Sequence, residues 1–211
     1  MGLIDFHCHV LPGVDDGVKD LEASKAQFAA YREAGFDRVV FTPHVYNPYV
    51  RSRIDLFRER AAVASATAKD YGLETWLGCE LFVGSQPELK AIPIMGKFAL
   101  CEFDRFLQPQ MLLERLQRLS DKGFTIVLAH VERFLWFSPD CELVAPLRAM
   151  GALFQVNVEG VESGAAVPWL ERRLADLIAT DNHGDASLPG RLREQVGNWP
   201  YLLKRMECLH P

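Results

Sequence analysis

Short apolar segments alternate with longer amphipathic segments along the chain, and this alternation limits the possible folds more than any other feature. Strands that alternate with helices pair in parallel through right-handed crossovers. The sequence therefore predicts an α/β fold, either a closed barrel or an open doubly wound sheet. Seven strands are predicted, over Leu3–His9, Arg38–His44, Thr75–Phe82, Phe98–Phe103, Thr125–His130, Leu153–Val158 and Leu177–Asp181.

The segments between the predicted strands carry residues that commonly begin and end helices. Asp20 is a candidate N-cap of the first helix, and a glycine directly follows each of the first three. No linker, low-complexity tract or internal repeat divides the chain, so we expect a single domain over residues 1–211. The predicted helices are Leu21–Ala34, Arg53–Tyr71, Met111–Lys122, a helix that follows Ser138 and Pro139 and ends at Gly151, and one that begins near Pro168.

Charge and hydropathy argue against several classes of protein. The net charge of -5 argues against binding to a nucleic-acid backbone, which requires a basic face. No segment has the apolar length of a membrane span, and the first residues lack the pattern of a signal peptide. We therefore expect a cytoplasmic protein that does not bind nucleic acid and has no membrane span.

The cysteines predict neither a disulfide framework nor a nucleophile. There are five of them, an odd number, and none forms a Cys-x-x-Cys pair. None is followed six positions later by arginine, which is the spacing found in cysteine-based phosphatases. Any hydrolytic chemistry in this chain is therefore expected to use other side chains.

Histidines and carboxylates occupy the ends of most predicted strands. In a parallel barrel all these ends meet at one edge, where barrel enzymes place their active sites. Side chains alternate along a strand, so both imidazoles of the His-x-His pair at residues 7–9 face the same way. The residues are His7, His9, His44, Glu80, Glu102, His130, Asp181 and His183, joined by Asp16 from the first loop.

Imidazole and carboxylate ligands without thiolate suit Mn²⁺, Fe²⁺ or Zn²⁺. The candidates exceed what one ion needs, which predicts two or three ions with a bridging carboxylate. Such a cluster lowers the pKa of a shared water and holds the oxygens of a phosphoryl group. There are structural alternatives: a single histidine can be a hydrogen-bonded structural residue, Glu80 or Glu102 could pair with arginine, and Asp15-Asp16-Gly17 could be only a tight turn.

Arg133, three residues beyond His130, is placed to bind a phosphate in bidentate fashion. The alternative for this side chain is a surface salt bridge with Glu132. Arg191 and Arg193, beyond the final ligand pair, are similar but weaker candidates. A loop after His44 could shape a pocket with Tyr46, Tyr49 and Arg51, although ordinary exposure explains these three at least as well.

The order of these motifs resembles that of polymerase-and-histidinol-phosphatase (PHP) domains, and most of all the bacterial protein-tyrosine phosphatases of capsule and exopolysaccharide loci. The resemblance runs from Leu3 to about Arg191. It rests on His7-Cys8-His9, Asp16-Gly17, Thr42-Pro43-His44, Gly78-Cys79-Glu80, Glu102, His130-Val131-Glu132-Arg133 and Thr180-Asp181-Asn182-His183.

The resemblance implies a distorted (β/α)7 barrel and a trinuclear site, with manganese favoured over iron or zinc. One ion would be held by His7, His9, Glu80 and Asp181. A second would be held by His130 with Glu80 or Glu102, and a third by Asp16, His44 and His183. Asp15 is the alternative to Asp16. Arg133 corresponds to the family arginine that contacts the substrate phosphate.

The resemblance also implies an enzyme, a metal-dependent phosphatase that acts on phosphotyrosine in a protein, such as the tail of a bacterial tyrosine kinase. Val131 and Asn182-His183-Gly184 depart from the family pattern in the rim loops that set the substrate, although every ligand is retained. The alternatives are a small-molecule phosphatase, for example for histidinol phosphate, a phosphodiesterase or exonuclease, and a non-catalytic scaffold that binds a kinase tail.

Overall fold

The strands of the computed structural model, which describes residues 2–207 and 209, pair in parallel throughout. They are β1 (Leu3–Cys8), β2 (Phe36–Phe41), β3 (His44–Val45), β4 (Glu74–Leu77), β5 (Glu80–Phe82), β6 (Phe98–Glu102), β7 (Thr125–Leu128), β8 (Leu153–Asn157) and β9 (Leu177–Ala179). The α-helices are α1 (Leu21–Glu33), α2 (Phe57–Asp70), α3 (Leu112–Ser120), α4 (Val144–Ala149), α5 (Val158–Glu162), α6 (Val167–Glu171), α7 (Leu188–Asn198) and α8 (Pro200–Glu207). The α/β class predicted from the sequence is confirmed.

Two of the seven predicted strands are each interrupted once. β2 and β3 are separated by Thr42 and Pro43, and proline has no N–H to donate to a ladder. Hydrogen bonds nevertheless cross the interruption, from Gly78 N to the Phe41 carbonyl (2.8 Å) and from Glu80 N to the Pro43 carbonyl (3.1 Å). The orders β1-β2-β4 and β3-β5-β6-β7-β8-β9 are therefore two parts of one sheet with seven strand positions.

The sheet curls until its last segment meets its first. Asp181 N donates to the His7 carbonyl at 2.8 Å, and His9 N donates to the Asn182 carbonyl at 2.8 Å. Beneath this seam the fully buried Asp5 carboxylate accepts hydrogen bonds from the hydroxyls of Tyr31 and Thr180, each at 2.5 Å. The seam fixes β1 against β9 and so places two ligand-bearing segments side by side.

The predicted bounds of a helix match the observed bounds best where a local capping residue marks its start or end. The Asp20 carboxylate accepts from Ala23 N at 2.9 Å, as expected of the N-cap, and α1 gives way to Gly35 at φ +83°. The single helix predicted over Arg53–Tyr71 is instead a 3₁₀ turn (Ile54–Leu56) followed by α2. The segment after Pro139 becomes helical only at α4.

Three helices were not predicted. α5 has only five residues, too few to show a helical period. α7 contains Gly190 and Gly197, which weaken a helical signal in sequence, and Pro200 interrupts the pattern between α7 and α8. Tertiary packing stabilises both helices, since Leu192, Val196 and Leu202 are buried in the core.

Candidate metal centre

The nine predicted ligand residues lie together at the carboxyl-terminal edge of the sheet. Seven of them are buried, while the side chains of Asp16 and His183 are 48% and 35% exposed. Parallel strands bring their carboxyl ends to one edge, so residues from β1, β3, β5, β6 and the segments after β7 and β9 converge there. The ligand atoms of eight of them, all except His130, form three overlapping groups.

The deepest group contains His7, His9, Glu80 and Asp181. Nε2 of His7 lies 3.2 Å from Glu80 Oε2 and 3.3 Å from Asp181 Oδ1. Nε2 of His9 lies 3.3 Å and 3.2 Å from the same two oxygens. Two imidazole nitrogens and two carboxylate oxygens therefore surround one point, as the ligands of a single cation would.

The second group joins His44, Glu80 and Glu102. His44 Nδ1 lies 3.0 Å from Glu80 Oε2 and 3.0 Å from Glu102 Oε1. His130 approaches from the other side, with Nε2 2.7 Å from Glu80 Oε1. The two oxygens of Glu80 thus face different histidines, Oε2 towards His44 and Oε1 towards His130.

The third group contains His9, Asp16, His44 and His183 and is the most open to solvent. Asp16 Oδ1 lies 3.5 Å from His44 Nε2 and 3.4 Å from His183 Nε2. The rings of His9 and His183 stack with their centroids 4.1 Å apart. Gly17 permits this arrangement, because a Cβ at that position would lie 1.9 Å from the His9 carbonyl oxygen.

Two acceptors orient the histidines of β1. Nδ1 of His7 donates to Gln155 Oε1 at 2.9 Å, and Nδ1 of His9 donates to Asp15 Oδ2 at 2.8 Å. A proton held on Nδ1 leaves the Nε2 lone pair directed at the cluster. The sequence left Asp15 and Asp16 as alternatives; the structure places Asp15 behind His9 and Asp16 in the third group.

Sequence reasoning missed Gln155 and Asn157. The Gln155 amide donates to Asn157 Oδ1 at 2.6 Å, and the Asn157 amide donates to Asp181 Oδ2 at 3.0 Å. Both residues are fully buried on the same face of β8. Two amides at alternate positions of an otherwise apolar strand were the available signal, since buried polar groups require partners.

Asn47 was missed as well. Its amide donates to Glu102 Oε1 at 2.7 Å from the loop that follows β3. The loop itself gave no sequence signal that would single out this side chain, because asparagine is common in turns.

The buried oxygens show that a divalent cation fits the cluster. Glu80 Oε2 and Asp181 Oδ1 are buried and have no hydrogen-bond partner. An ionised carboxylate buried without compensation is costly, and a cation among these oxygens removes that cost. A ligand set of imidazoles and carboxylates, without thiolate, suits Mn²⁺, Fe²⁺ or Zn²⁺.

Protons and cations compete for these groups. Burial alone would raise the pKa of Asp181, but His7, His9 and Arg133 outweigh it and hold that pKa well below the usual range. Burial alone would lower the pKa of His9, but Asp15, Asp181 and Glu80 outweigh it and hold that pKa well above the usual range. A metal ion must therefore displace a proton from His9.

Arg133 lies at the edge of the cluster and is 40% exposed. Its Nη1 donates to Asp181 Oδ2 at 2.5 Å, and its Nη2 lies 3.8 Å from Glu159. The alternative of a surface salt bridge with Glu132 is wrong, because the Glu132 carboxylate is turned inward and accepts from Asn157 N at 3.1 Å. Arg133 thus combines contact with a candidate ligand and access to solvent.

A cavity of about 380 Å³ opens above the cluster. It is lined by seven of the nine candidate ligand residues, by Arg105 and Arg133, and by the aromatic side chains of Tyr49, Phe82 and Phe134. A larger cavity of about 690 Å³ lies at the opposite edge of the sheet and contains none of the candidate ligands. Of these two cavities, only the smaller one is lined by candidate metal ligands.

Three of the six described non-glycine residues with positive φ lie beside the cluster. His130 and Asp181 adopt positive φ values of 30° and 53°, and Tyr46 adopts 64°. Such conformations are costly for residues with a Cβ and persist where the surrounding structure enforces them. Here they turn two candidate ligands into the cluster.

Of the weaker candidates from the sequence, some line a cavity and others lie on the surface away from the cluster. Tyr49 lines the cavity, and Arg51 lines a separate depression beside Asp15. Arg191 instead pairs with Glu162, with its Nε 3.0 Å from Oε1, and Arg193 is exposed on α7.

The described cysteines are free, and Cys8, Cys79 and Cys101 are buried. Burial raises the pKa of the Cys79 thiol to about 12, which leaves it protonated near neutral pH. These thiols are therefore poor nucleophiles, as the sequence indicated. No helix within residues 2–207 combines the length and apolar character needed to cross a bilayer.

Comparisons with known proteins agree with this architecture. A family model described as capsular polysaccharide synthesis, CpsB/CapC, matches residues 3–204. The tyrosine-protein phosphatase CpsB of Streptococcus pneumoniae is 27% identical, over 91% of this chain and 87% of that protein. The tyrosine-protein phosphatase YwqE of Bacillus subtilis is 26% identical, over 86% of this chain and 77% of that protein.

Solved structures share the fold. A structure from a study of YwqE from Bacillus subtilis and CpsB from Streptococcus pneumoniae, described as unique metal-dependent tyrosine phosphatases, superimposes with a TM-score of 0.81. That match has 24% identity and covers 98% of this chain and 94% of the other. The lactonase Lmo2620 of Listeria monocytogenes gives a TM-score of 0.57 at 12% identity over 98% of this chain and 91% of the other.

The curled parallel sheet, with histidines and carboxylates at its carboxyl edge, defines a PHP-type fold, as the sequence resemblance implied. The family follows from the match over residues 3–204. The chain belongs to the CpsB/CapC family of capsular polysaccharide synthesis.

Proposed function

We propose that this chain is a metal-dependent protein-tyrosine phosphatase that acts in capsule or exopolysaccharide regulation. The observation that carries the proposal is the convergence of nine imidazole and carboxylate side chains beneath an open cavity, eight of them in three overlapping groups and His130 against Glu80. Arg133 at the edge of that cavity supplies a cationic group for a phosphate. The relatives CpsB and YwqE carry the name tyrosine-protein phosphatase.

The three groups would hold three divalent ions, with manganese as the proposed metal. The first ion would be held by His7, His9, Glu80 and Asp181. The second would be held by Glu80 or Glu102 with His130, and the third by Asp16, His44 and His183. When bound, such ions lower the pKa of a coordinated water and neutralise charge on phosphoryl oxygens.

The protein's own side chains position and balance charge around the reacting phosphate. Gln155 and Asp15 keep the Nε2 lone pairs of His7 and His9 directed inward. Asp181 holds the Arg133 guanidinium at the cavity edge, where its remaining N–H groups are free to donate to equatorial phosphate oxygens. Leaving-group protonation requires only solvent access, which the cavity provides, because a phenoxide is a weak base compared with an alkoxide.

The lining of the cavity favours a phosphorylated phenol. Tyr49, Phe82 and Phe134 surround the approach to the ligand residues and offer aromatic contacts to a tyrosine ring. The proposed substrate is therefore phosphotyrosine in a protein, such as a tyrosine-kinase tail. We include in this proposal a single domain and a cytoplasmic location, and the free thiols of the four described cysteines support that location.

The test compares three substrates under one metal condition: a phosphotyrosine peptide, histidinol phosphate and single-stranded DNA. We expect Mn²⁺-dependent hydrolysis of the peptide that a chelator abolishes. Metal content is measured in parallel by mass spectrometry, and the His7→Ala/His9→Ala double variant should lose metal and turnover together. Full activity after chelation, or preference for histidinol phosphate or DNA, would refute the proposal.

A further inference from the structure

Exposed apolar side chains are concentrated around the mouth of the candidate active site. Among the described residues, six of the eight large exposed apolar side chains lie on loops that follow the carboxyl ends of β3, β6 and β7. Patches of this kind on a soluble protein commonly mark a surface that binds another molecule. The six are Tyr46, Tyr49, Phe106, Leu107, Met111 and Leu135.

A second cavity, of about 460 Å³, lies directly beside the metal-centre cavity. Its apolar lining includes Pro48, Phe82, Val83, Leu107 and Met111. Phe82 lines both cavities. This neighbouring space, which we call the flanking pocket, therefore adjoins the site that would bind phosphate.

The wall between the two cavities is fixed by hydrogen bonds. Tyr49, which lines the metal-centre cavity, donates its hydroxyl to Asp104 Oδ2 at 2.8 Å, and Asp104 lines the flanking pocket. The other oxygen of Asp104 accepts from the backbone N–H groups of Phe106 at 2.8 Å and Leu107 at 2.9 Å. Leu107 is thus held outward by the structure of its loop.

The same loop is tied down from its other side. Trp136 Nε1 donates to the Asp104 carbonyl at 2.9 Å, and Leu135 N donates to the Arg105 carbonyl at 2.9 Å. Met111, at the end of the loop, is 62% exposed with φ at 55°. A residue held exposed in a costly backbone conformation, with a flexible apolar side chain, suits a pocket that adapts to its ligand.

We propose that the flanking pocket binds an apolar side chain of the substrate peptide, one or two residues from the phosphotyrosine. This inference rests on the proposed function. An extended peptide advances about 3.3–3.6 Å per residue along its length, so a side chain next to the phosphotyrosine can reach an adjoining cavity. A small phosphorylated metabolite would not reach it, and the pocket therefore selects peptides by their sequence.

The experiment uses the Mn²⁺-loaded protein and phosphotyrosine peptides that differ only by leucine or serine at one flanking position, tested in turn one and two residues on each side. We expect kcat/KM to be about tenfold higher for leucine at one of these positions, carried by KM, as burial of one apolar side chain provides. In the Leu107→Ser/Met111→Ser variant, the ratio of kcat/KM for the leucine peptide to kcat/KM for the serine peptide should fall to about one. The same variant should hydrolyse p-nitrophenyl phosphate as the wild-type protein does. Both replaced side chains are exposed, so the fold is retained.

Val63→Ser is the matched control, because Val63 is similarly exposed but lies on α2, away from both cavities. Equal kcat/KM for leucine and serine peptides at all four positions, or a ratio that survives in the double variant, would overturn the inference. So would light scattering that shows a dimer dissociated by the double variant, because a second copy would then occupy the pocket.

Failure of the proposed function gives a different result. A small-molecule phosphatase would hydrolyse p-nitrophenyl phosphate but no peptide, and a chain without phosphatase activity would hydrolyse neither. In either case, fluorescence anisotropy of the same labelled peptides still tests the inference. The inference is supported if the wild-type protein binds a leucine peptide more tightly than the serine peptide and the double variant does not. Equal binding of the two peptides by the wild-type protein refutes it.

Discussion

At the scale of one residue, the contact between Arg133 and Asp181 positions the Arg133 guanidinium for contact with the substrate phosphate. Its guanidinium donates to Asp181 with one nitrogen and remains 40% exposed, so the rest of the planar fork is held at the cavity edge. Lysine carries the same charge but cannot reproduce that fork.

Replacement of Arg133 by lysine should therefore lower kcat for a phosphotyrosine peptide by about 100-fold, the scale expected when one donor to a transition-state oxygen is lost. Metal content, measured by mass spectrometry, should remain close to that of the unmodified protein. Arg172→Lys is the control, because Arg172 pairs with Asp140 on the surface and should tolerate the change. Equal activity of the two variants would exclude the assigned role.

The protonation of His9 gives a second consequence at the residue scale. In the metal-free fold its pKa is raised by acidic neighbours, so its contribution to stability is complete below the unfolded pKa of about 6.5 and is lost as pH rises through the folded value. The lowered pKa of Asp181 acts in the opposite sense: its contribution is present above the unfolded pKa and is lost as pH falls through the folded value.

Metal binding needs the deprotonated imidazole, so the stabilisation by Mn²⁺ should increase with pH. We expect the rise in Tm on addition of Mn²⁺ to be larger at pH 8 than at pH 6, measured by differential scanning fluorimetry at fixed ionic strength. The His9→Asn variant should show a small rise at both pH values. A rise that does not depend on pH in the unmodified protein would contradict the competition between proton and metal.

At the scale of elements, the loop between β1 and α1 depends on close approach of two backbones. Val18 N donates to the His9 carbonyl at 3.1 Å, and Gly17 leaves no room for a side chain against that carbonyl. This contact sets Asp15 behind His9 and Asp16 in front of it. The loop therefore supports two of the three candidate ligand groups.

Gly17→Ala should destabilise the protein by about 1–3 kcal/mol, because the methyl group must displace the His9 backbone. Chemical denaturation gives the free energy of unfolding, and titration with Mn²⁺ should show weaker binding. Gly190→Ala is the matched control: nothing lies within 4 Å of a Cβ there, and alanine favours its helix. If the two variants have the same free energy of unfolding, the close approach of Gly17 to the His9 carbonyl does not limit the side chain at position 17.

At the scale of the whole molecule, the candidate ligands join segments from nearly every strand position. A metal ion that binds only the folded state stabilises all these segments at once, by about 2.7 kcal/mol when its concentration is 100 times its Kd. For a chain of this size that corresponds to about 5–10 °C in Tm.

Chelation should accordingly lower Tm by about 5–10 °C for each ion removed. Calorimetry before and after dialysis against a chelator, followed by restoration with Mn²⁺, measures this change. In the His7→Ala/His9→Ala variant chelation should have a much smaller effect. An unchanged Tm in the unmodified protein would show that the cluster does not bind cations in the folded chain.

Much of the site could be predicted because its signals are local. Whether a histidine or glutamate stands at the end of an apolar run is visible in sequence, and parallel pairing brings those ends together. That reasoning brought all nine side chains to one edge without knowledge of a single contact. The order of motifs then indicated the family that the comparison over residues 3–204 established.

The tertiary structure alone decided which atoms face one another. The seam between β1 and β9, the direction of the Gln155 amide and the inward turn of Glu132 depend on residues more than 20 positions apart in sequence. The same holds for α7, whose two glycines lower its helix propensity but whose Leu192 and Val196 are buried in the core. Sequence fixes the chemical types at each strand end, whereas the curl of the sheet determines their distances, because long-range packing sets that curvature.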